Sequence, residues 1–217
     1  MDFITRTLSV FPQLISAVPV VLQLAFGAMA LALVLGLLIA LARLSNSAPL
    51  KAIATTFVEV MRGTPLLVQL VYIFFVLPSL GVEIQPVPAG ILGLGLNYAA
   101  YLSEVFRSAI LSVEHGQTEA ALSLGYTPTS TLWKVVIPQS FVVSMAPIGN
   151  YFISLIKDTA LTSVIAVAEI LKTANMINSQ TFQTTEIYTA AALMYLIISL
   201  PLSRAVVVLE RKVRANA

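Results

Sequence analysis

Long apolar runs alternate with short polar stretches along nearly the whole chain. About 20 consecutive apolar residues in a helix cross the hydrocarbon core of a bilayer. The run from Val18 to Ala42 meets that length and predicts a first span. Gly27 and Gly36 lie on it and permit close helix contact. Ahead of it, residues 1–17 place Phe3, Ile4, Leu8, Val10, Phe11, Leu14 and Ile15 among polar positions. That pattern predicts an interfacial helix lying on the membrane. Arg6 could mimic the start of a signal peptide. The apolar run that follows is too long for a signal core, and no clear cleavage site comes after it.

Arg43 to Thr56 is polar and reads as a connector, with Asn46, Ser47, Pro49 and Lys51. Phe57 to Pro78 is long enough to span, but Gly63 and Pro65 break it. Pro65 removes a backbone donor, so the carbonyl it would have served needs another partner. Broken helices at membrane depth are tolerated where protein or a water-filled cavity lines them. Glu59 and Arg62 share a helical face and can pair. A charge at the bilayer centre costs roughly 2.5 to 3.5 kcal/mol on insertion scales, which places this pair near the cytoplasmic end. After an outer loop from Leu80 to Pro88, a third span is expected from Ala89 to Val113. Its Asn97, Tyr101, Glu104 and Ser108 recur at three- or four-residue spacing and form one polar stripe. Such a stripe faces a bundle interior or a pathway. Glu104 and Arg107 share a face and read as a structural pair.

Gly116 to Pro138 is too polar to cross a bilayer and too patterned to be a slack linker. Good helix formers fill Gln117 to Leu124. Gly125 supplies a left-handed stop, and Thr127-Pro128 supplies an N-cap and a first helical position. The pattern predicts two short helices, the second ending before Pro138, in a knob that exposes Ala120 and Ala121.

A fourth span follows from Phe141 to Ile156, with Ser154 on it and Lys157-Asp158 directly after. Leu161 to Leu171 is too short to span, so a short outer helix and loop lead to a last span from Ile187 to Leu209. The expectation is one all-α, polytopic membrane domain over residues 1–217 with five transmembrane helices. Arg43, Lys51, Lys134, Arg211, Lys212 and Arg214 fall on one side, and Arg6 and Lys172 on the other. Lysine and arginine mark the cytoplasmic side, which puts the N-terminus out and both the C-terminus and the 116–138 knob in.

Composition agrees with the pattern. The chain is 58% hydrophobic and 10% charged, against about 25% charged in soluble domains. It has no cysteine and a single histidine, His115, so neither a disulfide framework nor a familiar metal site is expected. No basic run with interleaved aromatics points to nucleic acid. No glycine is followed by lysine, so the chain carries no phosphate-cradling loop of its own. If ATP drives it, another subunit binds the ATP.

Glu119-Ala120-Ala121, three residues, Gly125, nine residues, Val135, one residue and Ile137-Pro138 resembles the EAA loop of ABC importer permeases. Val135 and Ile137 depart from the family's Ile and Leu by volume-preserving swaps. Three further stretches resemble the branch that handles polar amino acids such as histidine, glutamine and arginine. They are Glu59 to Pro65 with Gln69, Ala99 to Arg107, and Ile153 to Ile165. The resemblance implies a type I importer permease in the bacterial cytoplasmic membrane. It also implies a partner ATP-binding cassette subunit, a second permease, identical or related, and an extracytoplasmic solute-binding protein. Glu119, Ala120, Ala121 and Gly125 would then couple to the ATPase. For an amino-acid substrate, polar or basic, Asp158 suits a cationic group, and Asn97, Gln69, Tyr101 and Ser154 suit hydrogen-bonding walls. Asp158 pairing with Lys157 or Arg107, and Asn97 bridging helices, are the structural alternatives. An ion-coupled carrier using Asp158, Glu104 or Glu59, or a non-transporting scaffold, are the functional ones.

Overall fold

The computed structural model describes residues 3–215, and side chains only as far as 208. The side chains of Arg211, Lys212 and Arg214, used above for sidedness, fall outside the described residues. The described residues are helical, with no strand among them. The helices are α1 (Phe3–Ile15), α2 (Val18–Leu44), α3 (Ala48–Gly63), α4 (Leu66–Val71), α5 (Pro86–Leu111), α6 (His115–Ser123), α7 (Pro128–Thr131), α8 (Ile137–Asp158), α9 (Ile170–Thr181) and α10 (Thr184–Ala215). Two π-helical turns, Tyr72–Val76 and Leu132–Val136, extend α4 and join α7 to α8.

Helices α2, Pro128–Ile165 and Thr184–Val208 are long and apolar enough to cross a membrane. Helix α3 and the segment Leu66–Leu80 qualify together as a fourth span, bent by 105° at the break. Helix α5, at 26 residues, is about 39 Å long and could also cross. Its polar stripe keeps it out of the apolar set.

Helix α5 is the axis of the bundle, and α2 is its most extensive partner. The crossing is close because small residues meet there. A Cβ on Gly36 would lie 3.0 Å from the Cβ of Leu102, and one on Gly95 would lie 2.6 Å from Leu31 Cδ2. Lipid tails are as apolar as leucine, so such close backbone packing is a main source of helix association in a bilayer.

Three expectations are corrected. The connector after α2 is far shorter than Arg43–Thr56, because α3 already starts at Ala48 with Pro49 in its first turn. Proline at that position needs no amide and opens the helix. The second helix of the knob does not stop before Pro138. The wide turn at Leu132–Val136 carries the chain into α8, with Pro138 in the first turn of that helix, and helix runs from Pro128 to Ile165. Helix α1 lies against protein as well as presenting an apolar face. Thr7, Val10 and Leu14 are buried, α10 is its main partner, and Arg6 reaches Glu186 at 3.8 Å. Phe3, Ile4, Leu8 and Ile15 are left exposed.

Candidate functional site

The site begins at the break between α3 and α4. Thr64 and Pro65 are extended, so the chain leaves α3 and turns into α4. The carbonyl that Pro65 leaves without a donor, four residues back, is that of Met61. Gln69 Nε2 donates to it at 2.8 Å, and Asn97 Nδ2 donates to it from α5 at 3.1 Å. Gln69 also donates to Thr64 Oγ1 at 2.8 Å, and Asn97 to Gln69 Oε1 at 3.1 Å. The two amides expected as cleft walls are thus occupied in holding the break open and tying it to α5.

Beside the break lies a cleft of about 460 Å³ that brings together Arg62, Asn97, Tyr98, Tyr101, Tyr151, Ser154 and Asp158. Gln69 stands behind it. Tyr98 Oη donates to Asp158 Oδ2 at 2.7 Å. Neither Lys157 nor Arg107 pairs with Asp158, which has no ion-pair partner among the described residues. The expected Glu59–Arg62 pair does not form either. Glu59 stays exposed, while the Arg62 guanidinium lies 5.4 Å from the centre of the Tyr101 ring. An exposed helical ion pair contributes about 0.2–0.5 kcal/mol, and a cation over an aromatic face about 0.5–1 kcal/mol, so the ring wins. Arg62 is the cleft residue that pairing rules misassigned. Its place at the end of a helix that stops at Gly63-Thr64-Pro65 was the available signal.

A second cavity of about 410 Å³ continues towards the knob end of α5, with Glu104, Ser108, Ser112 and Ser144 in its lining. Arg62, Tyr101 and Tyr151 line both cavities and form the partition between them. The Tyr101 and Tyr151 ring centres are 5.7 Å apart. Glu104 does pair with Arg107, and its other oxygen accepts from Arg43 at 2.6 Å. Arg43 ends α2, so the triad joins two helices. Sequence reading missed it because the partners lie 61 positions apart.

The knob is built as its residues dictate. Helix α6 ends at Gly125, whose φ is +87°. Gly125 N donates to Leu122 O at 3.0 Å and Tyr126 N to Ala121 O at 3.1 Å, the paired closure of a Schellman end. Thr127 Oγ1 accepts from Ser130 N at 3.2 Å and caps α7. Glu119 and Ala120 are exposed. Ala121 is not. It is 5% exposed and faces inward, because α6 packs one side against the turn after α7. Leu124, 80% exposed, and Trp133, 51% exposed, project instead.

One buried carboxylate escaped the sequence reading. Glu169, outside the candidate spans, caps α9 by accepting from Leu171 N and Lys172 N, both at 2.7 Å. Tyr195 Oη of α10 donates to it at 2.5 Å. Burial pushes its carboxyl above the usual range, and these three donors act against that.

A helical bundle with several helices apolar enough to cross a membrane, a cleft lined by charged residues and a projecting knob fits a multi-pass membrane transport subunit. The chain belongs to the family described as binding-protein-dependent transport system inner membrane component, which matches residues 32–215. It is 45% identical over 181 residues to the L-cystine transport system permease protein TcyB of Bacillus subtilis (strain 168), covering 83% of this chain and 77% of that one. It is 37% identical over 205 residues to the glutamine transport system permease protein GlnP of Escherichia coli (strain K12), covering 94% of each. A solved structure described as an amino acid ABC transporter with histidines is 37% identical, with a TM-score of 0.89 over 98% of this chain and 99% of that one. The chain therefore has the ABC importer permease fold.

Proposed function

We propose that this chain is the permease subunit of an ATP-driven amino-acid importer in a bacterial cytoplasmic membrane. Five helices would cross, with α5 as the polar one, the N-terminus outside and the knob inside. The observation that carries the reading is the cleft. Arg62 and Asp158 line it with opposite charges, and neither has an ion-pair partner among the described residues. A zwitterionic amino acid matches that arrangement, its carboxylate towards Arg62 and its ammonium towards Asp158. Tyr101 and Ser154 remain as hydrogen-bonding walls, since Asn97 and Gln69 are occupied at the break. The names of the relatives, which include cystine and glutamine permeases, support an amino acid as cargo.

ATP binds on a separate cassette subunit. An extracytoplasmic binding protein delivers the solute, and a second permease, identical or related, completes the pathway. The knob around Glu119, Ala120 and Gly125 docks on the ATPase, with Ala121 supporting it from within. Nucleotide-driven closure of the ATPase then rocks the helices as rigid bodies between outward and inward openings.

The test is co-purification of the chain with the ATPase encoded beside it, wild type against Glu119→Lys, followed by solute-stimulated ATP hydrolysis in liposomes. A stable wild-type complex and a variant that loses assembly or stimulation support the reading. Uptake by the chain alone without ATP would replace it with an ion-coupled carrier. Assembly without uptake, every partner present, would leave a scaffold.

A further inference from the structure

We infer that the pathway sorts amino acids by side-chain charge, admitting uncharged side chains and turning away cationic ones, with Arg62 as the deciding residue. The inference rests on the proposed amino-acid pathway and narrows its cargo. The charges lining the two cavities carry it. Arg62 lines both, Asp158 lines the first and Glu104 the second. Both oxygens of Glu104 are taken by arginines, Arg43 at one and Arg107 at the other. That site therefore offers no negative charge to a passing cation, and the triad as a whole is positive by one unit. Lys157 is exposed beside Asp158, and Glu59 is exposed on α3; neither lines a cavity. Among the described residues that line the two cavities, Asp158 is left as the single uncompensated anion, and the α-ammonium common to all amino acids uses it. From this chain, a second cationic group on the substrate has only Arg62 and the positive triad to face.

Aromatic faces could have received such a group, since cations bind over tyrosine rings. The Tyr101 face already holds Arg62, at 5.4 Å. Tyr98 and Tyr151 meet edge to face, with their planes at 89°. What remains for a side chain is neutral: Ser154 and Tyr151 in the first cavity, then Ser108, Ser112 and Ser144 in the second. Ser112 and Ser144 give their protons to Ala109 O and Phe141 O and are left to accept, while the other hydroxyls can donate or accept, so amide and hydroxyl side chains are met without a counter-charge. Arg62 stands at the partition, so the repulsion acts on binding and again on passage.

The experiment uses the permease–ATPase complex in nanodiscs with the binding protein left out, so that only the membrane site selects. Binding of labelled L-glutamine and L-lysine, which are similar in reach and differ in charge, is measured on wild type and on Arg62→Gln. The expected result is wild-type affinity for glutamine at least tenfold above that for lysine, with the ratio falling severalfold in the variant. Both affinities can drop in the variant through the lost carboxylate contact, so the ratio is the readout. Lysine binding to wild type as well as glutamine would overturn the inference and leave the amino-acid pathway standing. An unchanged ratio in the variant would remove Arg62 from the sorting role. Saturable binding of neither amino acid to an assembled complex would overturn the pathway reading and this inference together. The wild-type comparison decides the charge rule even if the variant does not assemble.

Discussion

Met61 shows how a single missing hydrogen shapes the cleft. Pro65 cannot donate to the Met61 carbonyl, and two side-chain amides take over that duty. A fully buried carbonyl stripped of its partners costs about 1–3 kcal/mol, and the half-buried Met61 carbonyl falls at the lower end of that range. Asn97→Leu should therefore lower the melting temperature of the purified protein in detergent, and Gln69→Leu should do the same. Unchanged melting in both would mean that water or lipid serves the carbonyl equally well. Asp158 belongs to a different category. Asp158→Asn keeps the acceptor that Tyr98 uses and removes the charge. Binding of every amino acid should weaken by tenfold or more, because the α-ammonium is common to all of them. Wild-type binding in that variant would put the ammonium elsewhere. At this scale the break itself was legible, since Gly63 and Pro65 announce it and the freed carbonyl is a matter of counting. The destination of the carbonyl was not. Asn97 and Gln69 offer the same donors to a substrate as to a backbone oxygen, and only their position says which is used. Arg62 was hidden for the same reason: its nearest sequence partner, Glu59, lost to a ring on another helix.

Helix starts and stops were read from proline and glycine, with mixed results for a physical reason. Gly125 ends α6 because its φ of +87° suits a residue without a Cβ. No atom lies within 4 Å of where a Cβ would sit, so conformation alone restricts this position. Gly125→Leu forces a left-handed residue at about 1–2 kcal/mol. The expected result is a complex that still assembles and hydrolyses ATP but imports less per ATP; normal coupling would show that the turn tolerates strain. Pro138, by contrast, did not end its helix. A proline in a first turn is compatible with continuation, and the π-helical turn before it changes the register of carbonyls that it must avoid. Sequence patterns flag the proline and say nothing of the turn. Helix α9 depends on Glu169 in a similar way. Tyr195→Phe removes the donor that links its cap to α10. Faster amide exchange at Leu171 and Lys172 is expected, and exchange at the wild-type rate would show that the capping amides hold without α10.

At the scale of the whole molecule, the hydrophobic pattern located α2, α5, α8 and α10, and it hid the start of α3 inside the stretch read as a connector. Composition alone recovers three spans, or four with the bent pair. Helix α5 drops out by that measure because the residues that line the cavities lower its hydropathy. A helix that lines both cavities is thus missed as a membrane helix by composition. Arg43 and Glu104 make the same point in charge, since their ion pair closes α2 onto α5 across 61 positions, most of them helical, that no local rule connects.

Pro128 and Asp158 lie on one continuous helical rod, which passes through the wide turn at Leu132–Val136 and past Pro147 and runs on to Ile165. Thirty residues of helix separate them, about 45 Å at 1.5 Å per residue. A lever of that length turns small angles into useful travel. Pivoting the rod by about 5° at its knob end would sweep the Asp158 carboxylate through about 4 Å, more than the length of the hydrogen bond it accepts from Tyr98.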